Sequence, residues 1–297
     1  MLNLSHWPIV GQTDLVSLSE ATEQVHRAAQ YLSMAGKFFL PHKADDSHTN
    51  MGWNPEHAWL YSHELPTYSG HFLGLHPETM RLLLINQDHS IEKAYNLIGK
   101  TQKDGVAWIK GTLKQYGIDT SAYKIVLHYE IPDHDIHHGA PFRALSPAAY
   151  AGFSKVRSMG HEVMEQLVAT IPQASETRTW PHHFDIGNFL PLHTDAEGKT
   201  DRALYVGLAI PDHLADDYYF YVTHGYQHGQ ADYSTLPPLP SGGYWNRKEF
   251  VGAFLLLADL IQSGSSEQQI DNVSAFMKKA LEASIHLLDL NPSDFLS

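Results

Sequence analysis

The chain has 297 residues, 21 histidines, no cysteine and a formal net charge of −13, from 33 acidic and 20 basic side chains. Without cysteine there are no disulfides, thiolate nucleophiles, iron–sulfur clusters or cysteine-based zinc sites, and so acidic a field repels polyanions, which argues against nucleic acid as a partner. The 43% apolar and 11% aromatic fractions are those of a folded globular chain long enough for one large domain or two ordinary ones.

Met1 to Pro8 carries neither the basic start nor the apolar run of a signal peptide. The most apolar stretch, Phe250 to Ile261, is too short to cross a bilayer. A soluble, cytoplasmic protein with no membrane partner is the expectation.

In chain order, Ser19 to Phe39 places Ala21, Val25, Ala28, Ala29, Leu32 and Ala35 at helical spacing, with Pro41 just beyond. Three strand-like runs follow, Ala58 to His63, Gly70 to Leu75 and Met80 to Asn86. Ser90 to Tyr116 reads as helix broken around Gly99 to Gly105, and Tyr123 to Ile131 as an additional strand. Pro147 to Ile171 is again helical, with Phe153, Val156, Met159, Val163, Leu167 and Val168 on one stripe. Arg178 to Leu190, Arg202 to Ile210 and Asp217 to His224 read as strands, Lys248 to Gln262 as a helix, and Ser274 to Leu290 as a terminal amphipathic helix.

The second half thus repeats the order of the first. Leu73-Gly74-Leu75-His76-Pro77 echoes Val206-Gly207-Leu208-Ala209-Ile210-Pro211, and Trp53 and Trp180 each precede the first strand of a half. The predicted fold is α+β: two tandem helix–three-strand–helix repeats, residues 1–139 and 140–297, forming antiparallel or mixed sheets with helices on one face. Recurrence of helix-plus-meander order by chance is the plainer alternative.

Histidines cluster in two blocks. In Trp180-Pro181-His182-His183-Phe184-Asp185, an extended backbone would point His183 and Asp185 to one face, as a base with its orienting carboxylate or as two metal ligands, with His182 the alternative histidine ligand. His134-Asp135-Ile136-His137-His138 sits at the junction of the halves, where His137 or His138 would complete the ligand set. Imidazole and carboxylate alone suit zinc first, with iron or manganese also compatible. Such an ion would lower the pKa of a bound water, with Glu56 or Glu130 relaying protons. Trp53, His57, Arg178, Trp180, Asn188, Tyr244 and Trp245 are the candidate substrate contacts, and the tryptophans suit sugars or aromatic rings. The expected function is a metal-dependent hydrolase acting on a small polar, aromatic or sugar-like substrate in a His/Trp-lined cleft between the repeats. The alternative is a non-catalytic protein that binds a small molecule in the same cleft without metal. His224 and His228, four residues apart, and the proline-rich run Thr235 to Trp245, a lid or a crossover, are weaker candidates. No nucleophile elbow, Walker loop or dinucleotide fingerprint is present in the sequence.

Overall fold

The computed structural model describes residues 14–66, 70–169, 171, 173–226, 233–262 and 264–296. Among these are five α-helices and two antiparallel sheets, a mixed α+β protein. In chain order the elements are α1 (Leu15–Phe39), β1 (Gly52–Asn54), β2 (Trp59–Tyr61), β3 (His71–His76), β4 (Arg81–Asn86), β5 (Ile91–Asn96), α2 (Gln102–Lys114), α3 (Pro147–Val168) and β6 (Arg178–Thr179). Then follow β7 (Ile186–Thr194), β8 (Thr200–Ala209), β9 (Tyr219–Tyr226), β10 (Tyr244–Asn246), β11 (Gly252–Leu256), α4 (Leu257–Ile261) and α5 (Ser266–Leu287). No helix described is long and apolar enough to cross a membrane. The chain divides into two compact units: residues 13–158 with 178–184, and residues 159–177 with 185–297.

In the first unit, β1 to β5 form a meander in sequence order. Thr179 of β6 exchanges both backbone hydrogen bonds with Met51, just ahead of β1. Leu60, Leu73, Leu75, Leu82 and Leu84 share one sheet face by their register, and all are buried. Helix α1 is more than the one-sided amphipathic element its sequence predicts. Its alanine stripe is buried, but so are Gln24, His26, Arg27, Gln30 and Ser33, so the helix is surrounded. Thr101 starts α2 with a capping box closed by Asp104.

In the second unit, the ladder runs β10–β11–β9–β8–β7. Ile186, Leu190, Leu204, Val206, Leu208, Phe220 and Val222 fill one face, against which Gly160 of α3 lies so closely that a Cβ there would sit 2.5 Å from Leu208 and 3.1 Å from Ile186. Arg202, of the same parity, donates to the Leu288 carbonyl after α5. The helices therefore cover this face.

Several sequence expectations change. Each sheet has more than three strands. Ile91–Asn96 is a strand, because its exposed polar positions alternate with partly buried ones and the helix begins only at the Thr101 cap. Gly252–Leu256 is a strand rather than the start of a helix. Its apolar run is buried on both faces beside β9, and α4 starts only at Leu257. Tyr123 to Ile131 enters no ladder and bends at His128 and Tyr129. Side chains hold it to α1 instead: Tyr123 Oη donates to the Tyr31 carbonyl, and Lys37 Nζ to that of Val126.

Candidate functional site

Both histidine blocks converge on α1 within the first unit. Pro181 begins a turn in which the Phe184 N–H donates to the Trp180 carbonyl at 2.7 Å, and Phe184 takes φ +54°. The turn is held from inside. The buried Arg157 guanidinium donates to the Phe184 carbonyl at 2.6 Å and to Thr179 Oγ1 at 2.8 Å, and packs over the Phe184 ring. The ring itself stacks on His26 at 4.6 Å and faces Phe153. The strand-like alternation expected for His182 to Asp185 is therefore replaced by a turn. His182 is half-buried beside Tyr129 and Trp180, His183 is exposed, and the chain enters the second unit at Asp185.

His26 Nε2 and Gln30 Nε2 both donate to the Pro181 carbonyl, at 2.8 and 3.0 Å. Burial pushes the His26 imidazole down to about 3, so it is the neutral ring that donates. Tyr129 Oη donates to Gln30 Oε1 at 2.6 Å and lies 2.9 Å from Ser33 Oγ. The other block forms a 3-10 turn over Asp135–His138. Its approach is fixed by Arg27 Nη2, which donates to the Pro132 carbonyl at 2.6 Å. His138 Nε2 meets Asp133 at 3.0 Å, and the carboxylate holds that imidazole above its ordinary range. His137 Nδ1 lies 3.6 Å from the same carboxylate, while burial and the Arg27 charge hold His137 below its ordinary range. Sequence reasoning singled out the blocks but not His26, Arg27, Gln30 or Arg157, which organise them.

The remaining candidates have definite places. Trp53 is buried, with Nε1 donating to Ser158 Oγ at 3.2 Å. His57 stacks on Trp59 at 4.5 Å. Glu56 and Glu130 are exposed, and Arg178 is half-buried in β6. Asn188 is buried, its amide donating to the Ser175 carbonyl and Thr177 Oγ1. Trp245 Nε1 donates to the Pro237 carbonyl at 2.8 Å and Ser241 Oγ to Asn272, so the proline-rich run is pinned as a crossover. His228 lies outside the described residues. Among the described residues, no group of three or more histidine or acidic side chains is arranged to hold a metal ion.

Asp185 belongs to a different constellation, on the sheet face of the second unit opposite its helices. Gly187, Gly207, Tyr221, Phe254 and Tyr244 are successive partners across five strands and so share this face. The two glycines leave a trough in which the Tyr221 ring lies flat. A Cβ on Gly187 would sit 3.0 Å from Tyr221 Oη, and one on Gly207 2.6 Å from the ring. Tyr221 Oη then donates to Asp185 Oδ2 at 2.6 Å. Burial, with Asp185 second, raises the Tyr221 pKa far above its ordinary value, so the phenol stays protonated and keeps donating. Asp185 Oδ1 has no hydrogen-bond partner among the described residues, and the carboxylate is half-buried. The same sheet face carries Tyr205, Tyr244 and Phe250, exposed by 44, 39 and 46%. Phe250 meets Tyr221 edge-on at 5.5 Å, and Tyr205 packs on Phe189 at 5.2 Å. Tyr219 and Asp212 complete the floor through a 2.9 Å hydrogen bond.

The same unit has an open groove of about 490 Å³ between the proline-rich run and the last turns of α5, lined by Leu236, Lys279, Glu282, His286 and Asp289. It shares no residue with either constellation. Comparison with protein-family models, curated proteins and solved structures gives no match for this chain.

Proposed function

We propose that this chain binds a small polyhydroxylated, sugar-like molecule, without a metal ion, on the aromatic face of the second unit. The observation that carries this reading is the Asp185–Tyr221 pair. It is a carboxylate fixed by one short hydrogen bond, with its other oxygen open, on a sheet face that also carries three partly exposed aromatic rings. Aromatic faces pack against the C–H faces of sugar rings, and a fixed carboxylate accepts from vicinal hydroxyls. A few placed polar groups among apolar walls are what orient a small ligand. The reading departs from metal-dependent hydrolysis because, in the two blocks, His138 pairs with Asp133 and His182 packs on Tyr129. It retains the sugar-like ligand and Tyr244 as a contact, and makes Asp185 a ligand contact in place of a metal ligand.

A thermal-shift panel of mono- and disaccharides in the presence of EDTA tests it. At least one sugar is expected to raise the melting temperature, with the response lost in Tyr244→Ala and Phe250→Ala. A panel without response, or one that responds only after zinc, iron or manganese is restored, overturns it.

A further inference from the structure

Helix α1 and the loop tied to it leave three nitrogen atoms of the first unit enclosed and without a hydrogen-bond partner: Gln24 Nε2, Arg27 Nε and His137 Nε2. An unpaired buried polar nitrogen is costly, so three together call for an explanation. Each orphan follows from how the rest of its side chain is held. The Arg143 N–H donates to Gln24 Oε1 at 2.6 Å, which fixes the amide orientation and leaves Nε2 as the idle donor. Arg27 Nη1 and Nη2 donate to the carbonyls of Glu23 and Pro132, at 3.3 and 2.6 Å, leaving Nε–H. His137 faces Asp133 with Nδ1, leaving Nε2 inside, a nitrogen that donates once a bound anion holds the ring protonated.

Gln24 and Arg27 are one turn apart on the same side of α1, and the Pro132 bond brings the His137 turn to Arg27. The charge here is uncompensated at depth. Arg27 is almost wholly buried, whereas the carboxylates of Glu23 and Asp133 are 53 and 77% exposed. Arg143 lies near enough to His134 to act on it, adding a second guanidinium, while burial and Arg27 hold His134 itself below its ordinary range. A buried guanidinium next to amide and imidazole nitrogens, with no buried acceptor of opposite charge, is complementary to an anion with several oxygen acceptors.

We propose that Gln24, Arg27 and His137 form a binding site for a compact oxyanion, a carboxylate or a tetrahedral phosphate or sulfate, held between α1 and the 132–139 loop. The site is separate from the aromatic face of the second unit and stands or falls independently of it.

The test is melting of the full chain in chloride buffer of fixed ionic strength, titrated with sodium phosphate, sulfate or acetate. A saturable rise is expected, about 5 °C at a hundredfold excess over Kd. Response to phosphate and sulfate identifies a tetrahedral anion, and response to acetate alone a carboxylate. Gln24→Met and His137→Phe, which keep volume and leave Arg27 in place, are expected to weaken the response at least tenfold in apparent Kd. If the wild-type chain shows no saturable response to any of the three anions, water fills the site and the proposal fails. It fails equally if both variants respond as the wild type does.

Discussion

His26→Phe separates a structural histidine from a functional one by its effect on acid stability. In the folded chain His26 titrates at about 3, because burial disfavours the imidazolium, against an ordinary value of 6.5. Between those two values the unfolded chain binds the extra proton and the folded chain does not. The stability contributed by neutral His26 is therefore complete above pH 6.5 and is lost as pH falls toward 3. At pH 5, about 1.5 units below the unfolded value, the loss from this residue alone is roughly 2 kcal/mol. Phenylalanine keeps the stack on Phe184, and the Pro181 carbonyl retains its bond from Gln30 Nε2, so the variant is expected to fold. Urea unfolding at pH 7.5 and pH 5 is the assay. Trp53, Trp59, Trp108 and Trp180 all lie in the first unit with His26, so tryptophan fluorescence reports largely on that unit. His48, His76, His134 and His137 are also held low, chiefly by burial, and give both proteins an acid-sensitive background. The variant should lose about 2 kcal/mol less than wild type between the two pH values. Equal losses would refute the burial argument and the neutral donor to Pro181 with it.

Other expectations follow from single contacts. In Gly207→Ala the new methyl meets the Ile186 carbonyl and the Tyr221 ring, so destabilisation of about 2–4 kcal/mol is expected in chemical denaturation, with any ligand response lost. Tyr221→Phe removes the donor to Asp185. Because that carboxylate is half-buried and water can reach it, the stability cost should be about 1–2 kcal/mol while sugar affinity falls more steeply. Thr101→Ala and Ser265→Ala each break a capping box, at α2 and α5, and should each cost about 1 kcal/mol by urea unfolding without altering binding.

The α+β class and the helix-covered sheets follow from periodicity, and α1, α3 and the β3–β4 and β8–β9 strands lie close to where their patterns put them. Local pattern fails where burial is two-sided. Gly252–Leu256 is apolar on both faces and reads as helix until its pairing with β9 is known. Helix α1 shows the converse. His26, Gln30 and Ser33 occupy what looks like a solvent-facing stripe and are buried. The available signal was its low charge, with only Glu20, Glu23, Arg27 and Lys37 in 25 residues, fewer than a solvated face normally carries. The histidine blocks were legible as places where chain segments meet. Their partners were not, because Pro181 lies 155 residues from His26 and Pro132 lies 105 from Arg27. The Asp185–Tyr221 pair was likewise hidden, since nothing local reveals that Gly187 and Gly207 align across two strands to make room for a ring from a third.

Saturation-transfer NMR on tag-free protein in EDTA, with the sugars of the thermal panel, tests metal-free binding at the Asp185 face most directly. The account predicts transfer to ring C–H protons of at least one sugar by the wild-type chain, and its loss in Asp185→Asn at unchanged melting temperature. Transfer that survives the substitution, or that appears only when a divalent metal is added back, would contradict it.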